Sequence, residues 1–332
     1  MADGFFTGTI LRWYGENGRD LPWRRTRDPY AVWLSEIILQ QTRIAQGTAY
    51  WERFIARFPD VHSLAEASED EVLRLWEGLG YYSRARNLHA AAKQIVGRGS
   101  FPDTFEGIRT LKGVGDYTAA AIASIAFDRS VAVVDGNVYR VLARYFGIAT
   151  PVGTTAAKKE FTALAQSLLP EGEAAAFNQG MMDFGALQCS PVSPDCSACP
   201  LSSRCQAFRS GRTALLPVKT APAAVLDRHV SYIYLRCNGE TPVRRRPAGD
   251  IWQGLWEPLA VWDAPLPAEW SDATLLRRDV RHQLTHRRIT ADFYRLDRPV
   301  RPALPEGYVW IKETELARYA KPRLFVRLLE LL

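Results

Sequence analysis

Apolar side chains recur at helical spacing through residues 1–205. One set follows the i, i+3, i+4, i+7 spacing of a buried helix face: Val138, Val141, Leu142 and Tyr145. A Ser-x-x-Glu capping box opens another predicted helix, from Ser68 to Trp76. The periodicity therefore predicts an all-α domain over residues 1–205.

The pattern changes after residue 205. Periodicity is lost from Gln206 to Asp227, where two prolines and scattered basic residues indicate a linker over residues 206–227. Beyond it, valine, isoleucine and tyrosine predict short strands, with Asn238-Gly239 as a turn. The predicted strands are His229 to Cys237, Ile289 to Leu296 and Gly307 to Ile311, followed by a helix over Pro322 to Leu332. We expect residues 228–332 to form a smaller α+β domain.

Length and composition agree with two domains. The chain has 332 residues, of which 47% are hydrophobic, and this length exceeds what one core usually holds. The formal net charge of +6 favours a polyanionic partner, although an ordinary basic protein stays open as an alternative. No window has the apolar length of a membrane span, so we expect no association with a membrane.

Four of the five cysteines lie within residues 189–205, with the spacing C-x6-C-x2-C-x5-C. They are Cys189, Cys196, Cys199 and Cys205, and the spacing predicts one metal centre. A disulfide framework would need more pairs and a secreted context, and we expect no signal segment. Structural zinc stays open beside an iron–sulfur cluster, although zinc sites usually show two C-x2-C pairs. Either group implies a reducing compartment.

A glycine-rich hairpin precedes the cysteines. Two glycines one residue apart, Gly113 and Gly115, permit a tight turn. We expect the next helix to open at Thr118 and to present free amide hydrogens, which bind phosphate without side chains. The motif covers residues 104–126 and predicts contact with a DNA backbone. An ordinary helix-glycine-helix corner is the alternative.

The order of these motifs is similar to that of a known superfamily. The hairpin, then Val133-Val134-Asp135-Gly136-Asn137-Val138, then the cysteine pattern resembles the endonuclease III superfamily of DNA base-excision glycosylases. Within it, Leu21 to Arg24 and Ser35 to Thr42 resemble the adenine DNA glycosylases of the MutY type. The resemblance covers residues 5–205. It implies one 4Fe-4S cluster on the four cysteines, and double-stranded DNA containing an adenine mispair as the partner of a monomeric protein.

Two carboxylates have the surroundings that base removal needs. Adenine leaves deoxyribose more readily when an acid protonates it while the sugar becomes cationic. Glu36 lies in an apolar helical segment, where desolvation favours the protonated form. Asp135 precedes a helix, where amide hydrogens and the helix dipole keep a carboxylate ionised. The resemblance implies matching roles, with Glu36 as general acid and then activator of water and Asp135 as stabiliser of the sugar cation. A paired glutamate and a simple helix cap are the alternatives.

The residue at position 117 separates two mechanisms. Superfamily members that also cut the strand carry a lysine here, which forms a Schiff base with the sugar. This chain has Tyr117, so we expect a monofunctional glycosylase, and the resemblance implies that Tyr117 lies beside the extruded adenine. Lys112 departs from the proline that is common in the family. Asn137 matches an asparagine that orients catalytic groups, with a simple turn residue as the alternative.

Extrusion of a base requires residues that open the duplex. The resemblance implies that these are Gln41, Leu79 and Tyr81. We expect Arg84 and Arg86 to contact phosphates, and the resemblance implies that Arg24 lies near the lesion pocket. Core or surface positions without any contact to DNA are the alternative for this group.

The C-terminal part resembles the Nudix-like domain of the MutY type. The resemblance depends on Arg244 to Pro247 and Gly254 to Pro258. No R-E-x-x-E-E run is present to hold magnesium, so we expect recognition without hydrolysis. The loop that would recognise 8-oxoguanine contains Leu284, Thr285 and His286. Leucine replaces the phenylalanine common in the family, which predicts softer discrimination from guanine.

We therefore expect a DNA glycosylase that removes adenine mispaired with 8-oxoguanine or guanine. We expect it in the cytoplasm, associated with a nucleoid of the bacterial type. The alternatives are a catalytically silent DNA-binding or redox-sensing protein, and a glycosylase for another base. The presence of Glu36 and Asp135 argues against the silent protein, and Tyr117 with the C-terminal domain argues against another base. We expect the cluster to shape a basic loop that includes Arg204 and Arg209, because hydrolysis transfers no electrons.

Overall fold

The computed structural model describes residues 4–220 and 225–332. The chain forms two compact units. The helical unit consists of Met1–Ala65 and Ala90–Ala221, and the mixed unit consists of Glu66–His89 and Pro222–Leu332. Residues 66–89 therefore pack with the C-terminal part, whereas the sequence predicts one uninterrupted helical domain over residues 1–205. No helix in the two described ranges is long and apolar enough to cross a membrane.

Helices dominate the chain up to residue 209. Their bounds are α1 Gly4–Asn17, α2 Pro29–Leu39, α3 Ile44–Arg57, α4 Val61–Glu66, α5 Glu69–Leu75, α6 Ser83–Arg98, α7 Phe105–Arg109, α8 Asp116–Phe127, α9 Gly136–Phe146, α10 Thr155–Leu168, α11 Ala174–Leu187 and α12 Gln206–Arg209. Ser68 caps α5 by accepting the amide hydrogen of Glu71, which confirms the capping box. The predicted buried face lies on α9, where Val138, Val141, Leu142 and Tyr145 are all buried. The all-α character of this part is thus confirmed.

Helix α11 packs against α1 and α9 in the core of the helical unit. Buried side chains of the three helices meet there, among them Ile10, Leu142, Phe177, Met181 and Phe184. Two glycines allow the close approach. A methyl group at Gly185 would lie 2.6 Å from Cβ of Asn137, and one at Gly180 would lie 3.0 Å from Cβ of Tyr14. The packing therefore brings α11 directly against the start of α9, where Asp135 lies.

The glycine hairpin joins α7 to α8. Gly113 has a φ of 77°, a left-handed conformation that glycine adopts without strain. Helix α8 begins at Asp116 with Gly115 as its N-cap, so the prediction that it opens at Thr118 is wrong by two residues. The reason is that the extended Gly115 already starts the helix, because its carbonyl accepts the amide hydrogen of Ala119 at 2.9 Å. The first three amide groups of α8 precede this first internal hydrogen bond.

Much of the predicted linker packs on the helical unit. Ala207 of α12 and Leu216 are buried in its core, and Val152 pairs with Lys219 in an isolated β-bridge. The guanidinium of Arg144 also donates to the carbonyl of Leu216 at 3.0 Å. Residues 206–219 are therefore an ordered extension of the helical unit. Residues 221–224 of the predicted linker lie outside the described residues.

The mixed unit contains two sheets. Its elements are β1 Leu226–Arg236, β2 Glu240–Arg245, β3 Trp256–Glu257, β4 Leu259–Trp262, β5 Thr274–Gln283, β6 Arg287–Asp297, β7 Tyr308–Lys312 and the closing helix α13 Arg323–Leu329. The strand orders are β4-β1-β6-β5 and β3-β2-β7. The three predicted strands and the closing helix are confirmed as β1, β6, β7 and α13. Strands β2 to β5 were not predicted; β5 in particular is largely exposed and lacks an alternating pattern.

Strands β1 and β6 run parallel, with Val230 opposite Ala291, and the other named pairs are antiparallel. Asn238 and Gly239 both have positive φ, which is typical of the predicted tight turn between β1 and β2. Helix α13 buries Leu324, Phe325 and Leu328 in the core beside β1 and β6. Residues 284–286 connect β5 to β6, so the predicted recognition loop is the end of a hairpin.

Candidate active site

A cavity of about 310 Å³ lies inside the helical unit. Its lining includes five residues that the sequence predicts for catalysis or for the lesion pocket: Arg24, Glu36, Tyr117, Asp135 and Asn137. They are contributed by a short 3-10 turn, by α2 and α8, and by the start of α9. The volume lies in the range of small-ligand sites in proteins. The two predicted catalytic carboxylates therefore share one cavity.

Glu36 is the buried acid of this cavity. It lies on α2, where most side chains are buried, and only 8% of its surface is exposed. Tyr117 donates its phenolic hydrogen to Oε2 of Glu36 at 3.0 Å. Burial raises the pKa of Glu36 to about 7, against the opposing effects of this hydrogen bond and of the Arg24 charge. The carboxyl is thus partly protonated near neutral pH, in agreement with the sequence prediction.

Asp135 caps α9 and is held by two hydrogen bonds. Its Oδ1 accepts the amide hydrogen of Val138 at 2.7 Å, and its Oδ2 accepts from Nδ2 of Asn137 at 2.8 Å. Asn137 is fixed in turn, because Arg140 donates to its Oδ1 at 2.7 Å. Burial raises the pKa of Asp135, although the hydrogen bonds act in the opposite direction. Asp135 therefore caps α9 as the sequence predicts, and the structure adds that burial opposes the effect of the cap on the pKa of this carboxyl group.

Tyr117 bridges the acid and the wall of the cavity. Its hydroxyl lies 3.6 Å from the sulfur of Met182 in addition to its bond to Glu36. Burial, together with the charges of Glu36 and Asp135, raises the pKa of Tyr117 well above its usual value. The phenol therefore stays protonated and acts as a neutral hydrogen-bond donor.

An ion cluster behind the cavity was not predicted from the sequence. Asp183 of α11 is fully buried and accepts hydrogen bonds from the guanidinium groups of Arg19 and Arg24. The Nη1 of Arg24 lies 2.6 Å from Oδ2 of Asp183. The available signal in the sequence is an aspartate between Met182 and Phe184 in an apolar helix, which resembles the setting of Glu36.

The predicted DNA contacts of the helical unit occupy different environments. Gly113 and Gly115 lie at the hairpin turn, as expected. Thr118 is 2% exposed, and its hydroxyl accepts a hydrogen bond from Nε2 of Gln40 at 3.1 Å. Its side chain points inward, so the predicted phosphate contact remains only for its backbone amide. Gln41 is exposed between α2 and α3 with a φ of 56°, a strained conformation that is frequent at functional sites.

Three residues of the mixed unit that are predicted to contact DNA have contacts within that unit. Leu79 is 8% exposed. Arg84 is equally buried, and its guanidinium lies 5.0 Å from the ring of Trp76. Arg86 donates to the backbone carbonyl of Gln253. The roles of Leu79 in opening the duplex and of the two arginines at phosphates stay predictions, and the structure adds that Leu79 and Arg84 are buried within the unit.

A second cavity, of about 610 Å³, lies inside the mixed unit. Its lining includes the predicted recognition residues Leu284, Thr285 and His286, and Tyr81. Tyr81 is 46% exposed with a φ of 47°, and its hydroxyl contacts the hydroxyl of Thr285. Trp252, which the sequence did not single out, has a φ of 59° and its ring lies 5.7 Å from the ring of His282. Two aromatic residues with positive φ therefore line the same cavity.

The four predicted metal ligands lie near one another, partly buried. Cys189, Cys199 and Cys205 pack against the core of the helical unit. Burial first, and then the charges of the other three cysteines, raise the pKa of Cys199 to about 11. The Nη1 of Arg144 lies 3.4 Å from the sulfur of Cys189. Within residues 4–220 and 225–332, no three side chains of the types that bind metals are placed to hold a single ion.

The donor set around these cysteines fits an iron–sulfur cluster. Hydrogen bonding from the backbone of Leu201 acts to lower the pKa of Cys199, and hydrogen bonding from Phe208 and Ala207 acts to lower that of Cys205. Cysteine thiolates that receive such N–H donors, in partly buried surroundings, are the usual ligands of these clusters.

Comparison with known proteins identifies both parts of the chain. Residues 34–171 match the model of the HhH-GPD superfamily base excision DNA repair proteins, and residues 231–331 match the NUDIX domain. Among solved structures, a thermostable thymine-DNA glycosylase is 32% identical with a TM-score of 0.57, covering 62% of this chain and 95% of that chain. A non-covalent endonuclease III–DNA complex is 21% identical with a TM-score of 0.55 over 62% of this chain and 95% of that chain, which supports the fold alone.

Curated relatives are adenine DNA glycosylases. That of Buchnera aphidicola subsp. Schizaphis graminum is 36% identical over 254 residues, which cover 76% of this chain and 73% of the relative. That of Homo sapiens is 45% identical over 213 residues, which cover 61% of this chain and 39% of the relative. The cavity with its two carboxylates, the helical hairpin and these similarities agree: the chain belongs to the adenine DNA glycosylase family of base-excision repair enzymes.

Proposed function

We propose that this enzyme removes adenine mispaired with 8-oxoguanine or guanine by hydrolysis and leaves the DNA strand intact. The observation that carries the proposal is the hydrogen-bonded pair of Glu36 and Tyr117, which shares one cavity with Asp135. This arrangement supplies an acid for the base and a second carboxylate for the sugar.

The reaction proceeds in two steps that use the same carboxyl group. Glu36 gives its proton to a ring nitrogen of adenine, the C1′–N9 bond breaks, and its electron pair leaves with the base. The positive charge that develops on the sugar is stabilised by Asp135. Water then attacks C1′, and the ionised Glu36 takes up the proton that water releases. A pKa of about 7 suits this alternation, because both forms of Glu36 are populated near neutral pH.

Strand cleavage would require an amine at the sugar, since a Schiff base forms only from an unprotonated amine. Tyr117 occupies the position where strand-cutting relatives carry lysine, and a phenol cannot form an imine. None of the described residues that line the cavity is a lysine. Lys112 lies in the hairpin, where its backbone amide donates to Gln94 at 2.7 Å. We therefore infer monofunctional chemistry.

We further propose that Cys189, Cys196, Cys199 and Cys205 hold one 4Fe-4S cluster. When bound, the cluster supplies a structural crosslink among these residues. The cysteines flank a segment that continues into α12, which contains the exposed Arg209. A fixed segment of this kind presents positive charge to phosphates at a lower entropic cost than a mobile loop does.

The mixed unit is proposed to recognise the base opposite adenine. Support comes from the second cavity, where the Thr285 hydroxyl and Tyr81 meet at the end of the β5–β6 hairpin. Hydrolysis of nucleotides by this unit is not proposed, because the chain has no R-E-x-x-E-E run.

The test is a base-release assay on duplexes that carry adenine opposite guanine, 8-oxoguanine, cytosine or thymine, with strand breaks scored before and after alkali. We expect breaks only after alkali, and only for the guanine and 8-oxoguanine duplexes. Glu36→Gln and Asp135→Asn should lose adenine release while duplex binding survives. Breaks without alkali, or trapping of a protein–DNA adduct by borohydride, would refute monofunctional chemistry. Absence of base loss from every duplex would instead support a silent DNA-binding protein.

A further inference from the structure

We propose that Asp183 is a positioning residue of this enzyme: its carboxylate holds Arg24 at the cavity wall and thereby sets the pH range over which Glu36 carries its proton. The inference depends on the proposed role of Glu36 as the acid. Asp183 does not line the cavity itself, whereas Arg19, Arg24 and Glu36 do.

The hydrogen bonds that the structure shows for the Asp183 side chain are all with Arg19 and Arg24. It is fully buried, and both of its oxygens accept hydrogen bonds from Arg24, Oδ2 at 2.6 Å and Oδ1 at 2.9 Å. Arg19 adds its Nε at 2.9 Å and its backbone amide at 3.0 Å. A two-pronged contact between guanidinium and carboxylate fixes the orientation of the arginine as well as its position. Arg24 also lies 5.8 Å from the ring of Tyr14, which limits its movement on another side.

The net charge of the ion cluster formed by Asp183, Arg19 and Arg24 acts on Glu36. Two arginines face one aspartate, so the cluster retains one positive charge beside the acid. The Arg24 charge lowers the pKa of Glu36, opposing the burial that raises it. Burial raises the pKa of Asp183, but its hydrogen bonds to both arginines outweigh this and lower it overall, so Asp183 stays ionised. The other charged or titratable groups that line the cavity with Glu36 are Arg43, Tyr117 and Asp135.

Removal of the Asp183 charge should therefore lower the pKa of Glu36. In Asp183→Asn both arginines lose their neutralising partner, and Arg24 becomes free to pair with Glu36 directly. Both effects favour the ionised form of Glu36, which has no proton to give. A cation that gains access to a carboxyl group shifts its pKa by about one unit or more. The alkaline limb of the pH–rate profile should therefore move to lower pH, with about tenfold slower adenine release on that limb.

The experiment is single-turnover adenine release from a duplex with adenine opposite 8-oxoguanine, measured from pH 5.5 to 9. Asp183→Asn should shift the alkaline limb of the profile to lower pH. Asp183→Glu keeps the negative charge and should return the limb part of the way to its wild-type position. Asp20→Asn is the matched control, because Asp20 forms an exposed ion pair with Arg25 of the same segment. That variant should keep the wild-type profile. An equal loss at every pH in Asp183→Asn, with the limb unmoved, would overturn the inference.

If Asp183→Asn does not fold, a second variant tests whether the Arg24 charge sets the pH dependence of adenine release. Arg24→Met removes the positive charge, so the alkaline limb should move to higher pH even where the maximal rate falls. An unmoved limb in Arg24→Met would count against the inference. Failure of the underlying proposal has a different signature, since Glu36→Gln would then retain adenine release with a wild-type pH profile.

Discussion

Replacing Gly185 with alanine tests how closely α11 must approach the catalytic pair. The added methyl group would lie 2.6 Å from Cβ of Asn137 and 3.0 Å from its carbonyl oxygen. Because part of this contact is with backbone, rotation of a side chain cannot relieve it. Ordinary carbon–carbon contact requires a displacement of about 1 Å, which would move Asn137 and with it the carboxylate of Asp135.

The magnitude follows from two opposing effects. Overpacking at a buried position costs about 1–3 kcal/mol, while alanine in a helix interior gains about 1 kcal/mol over glycine. The free energy of unfolding should therefore fall by about 0–2 kcal/mol, and the protein should still fold. A displacement of about 1 Å in catalytic geometry, however, slows chemistry by about 100-fold. The carbonyl of Gly185 also accepts a hydrogen bond from Arg140 at 2.6 Å, so the support of Asn137 is disturbed on two sides.

The assay is single-turnover adenine release with saturating enzyme, paired with thermal unfolding. Gly180→Ala is the matched control, since Gly180 lies on the same helix and its methyl group would meet Tyr14 and Ile10 at 3.0 and 3.1 Å. Both variants should lose similar stability, and only Gly185→Ala should lose most of its rate. A wild-type rate in Gly185→Ala, or an equal loss in Gly180→Ala, would refute the reasoning.

Three other predictions concern separate parts of the molecule. Adenine release should slow as the pH rises through about 7, because Glu36, whose pKa is raised from 4.5 to about 7, then loses its proton; a rate that increases over this range in a pH–rate profile would contradict the assignment. Cys199→Ser should lower the iron content and the melting temperature. Cys237 lies outside the cysteine pattern, so Cys237→Ser should leave the iron content unchanged; chemical iron analysis of both variants, with equal iron content as the contradicting result, tests this prediction. Trp252→Leu should weaken binding to a duplex with 8-oxoguanine opposite adenine by about tenfold, in line with the loss of one stacking contact. Trp310→Leu is the control, because Trp310 lies on β7 of the same unit and outside the lining of the second cavity; equal affinities of the two variants would exclude Trp252 from recognition.

Local patterns in the sequence were sufficient for several helices in the chain up to residue 209. Val138, Val141, Leu142 and Tyr145 are buried as their spacing predicts, and Ser68 caps its helix. The same holds for Glu36, because its apolar neighbours are close in sequence and the desolvation that they cause raises the pKa. These features depend on residues within one or two helical turns, which a sequence displays directly.

Features that depend on distant partners were missed. Arg86 is one example, because the sequence analysis did not show that its guanidinium donates to the carbonyl of Gln253, which is 167 residues away. Asp183 pairs with Arg19 and Arg24, which are 164 and 159 residues away, and no local pattern joins the three. The helix dipole at Asp135 was correctly located, but the burial that opposes it comes from tertiary packing.

The mixed unit is built from two stretches that are separate in sequence, Glu66–His89 and Pro222–Leu332, so its two parts cannot be expressed together as one continuous fragment without the helical unit. A strand-rich C-terminal fragment that starts near residue 225 would lack Glu69 and Asp70, which pair with Arg245, and would also lack Tyr81, which meets Thr285. Conversely, an N-terminal fragment would keep residues 78–86 without the residues that contact them in the C-terminal stretch, among them Gln253 and Thr285. A chimaera joined at one point after the cysteines would therefore divide one compact unit between two parent proteins. An exchange of specificity between relatives must replace both stretches together.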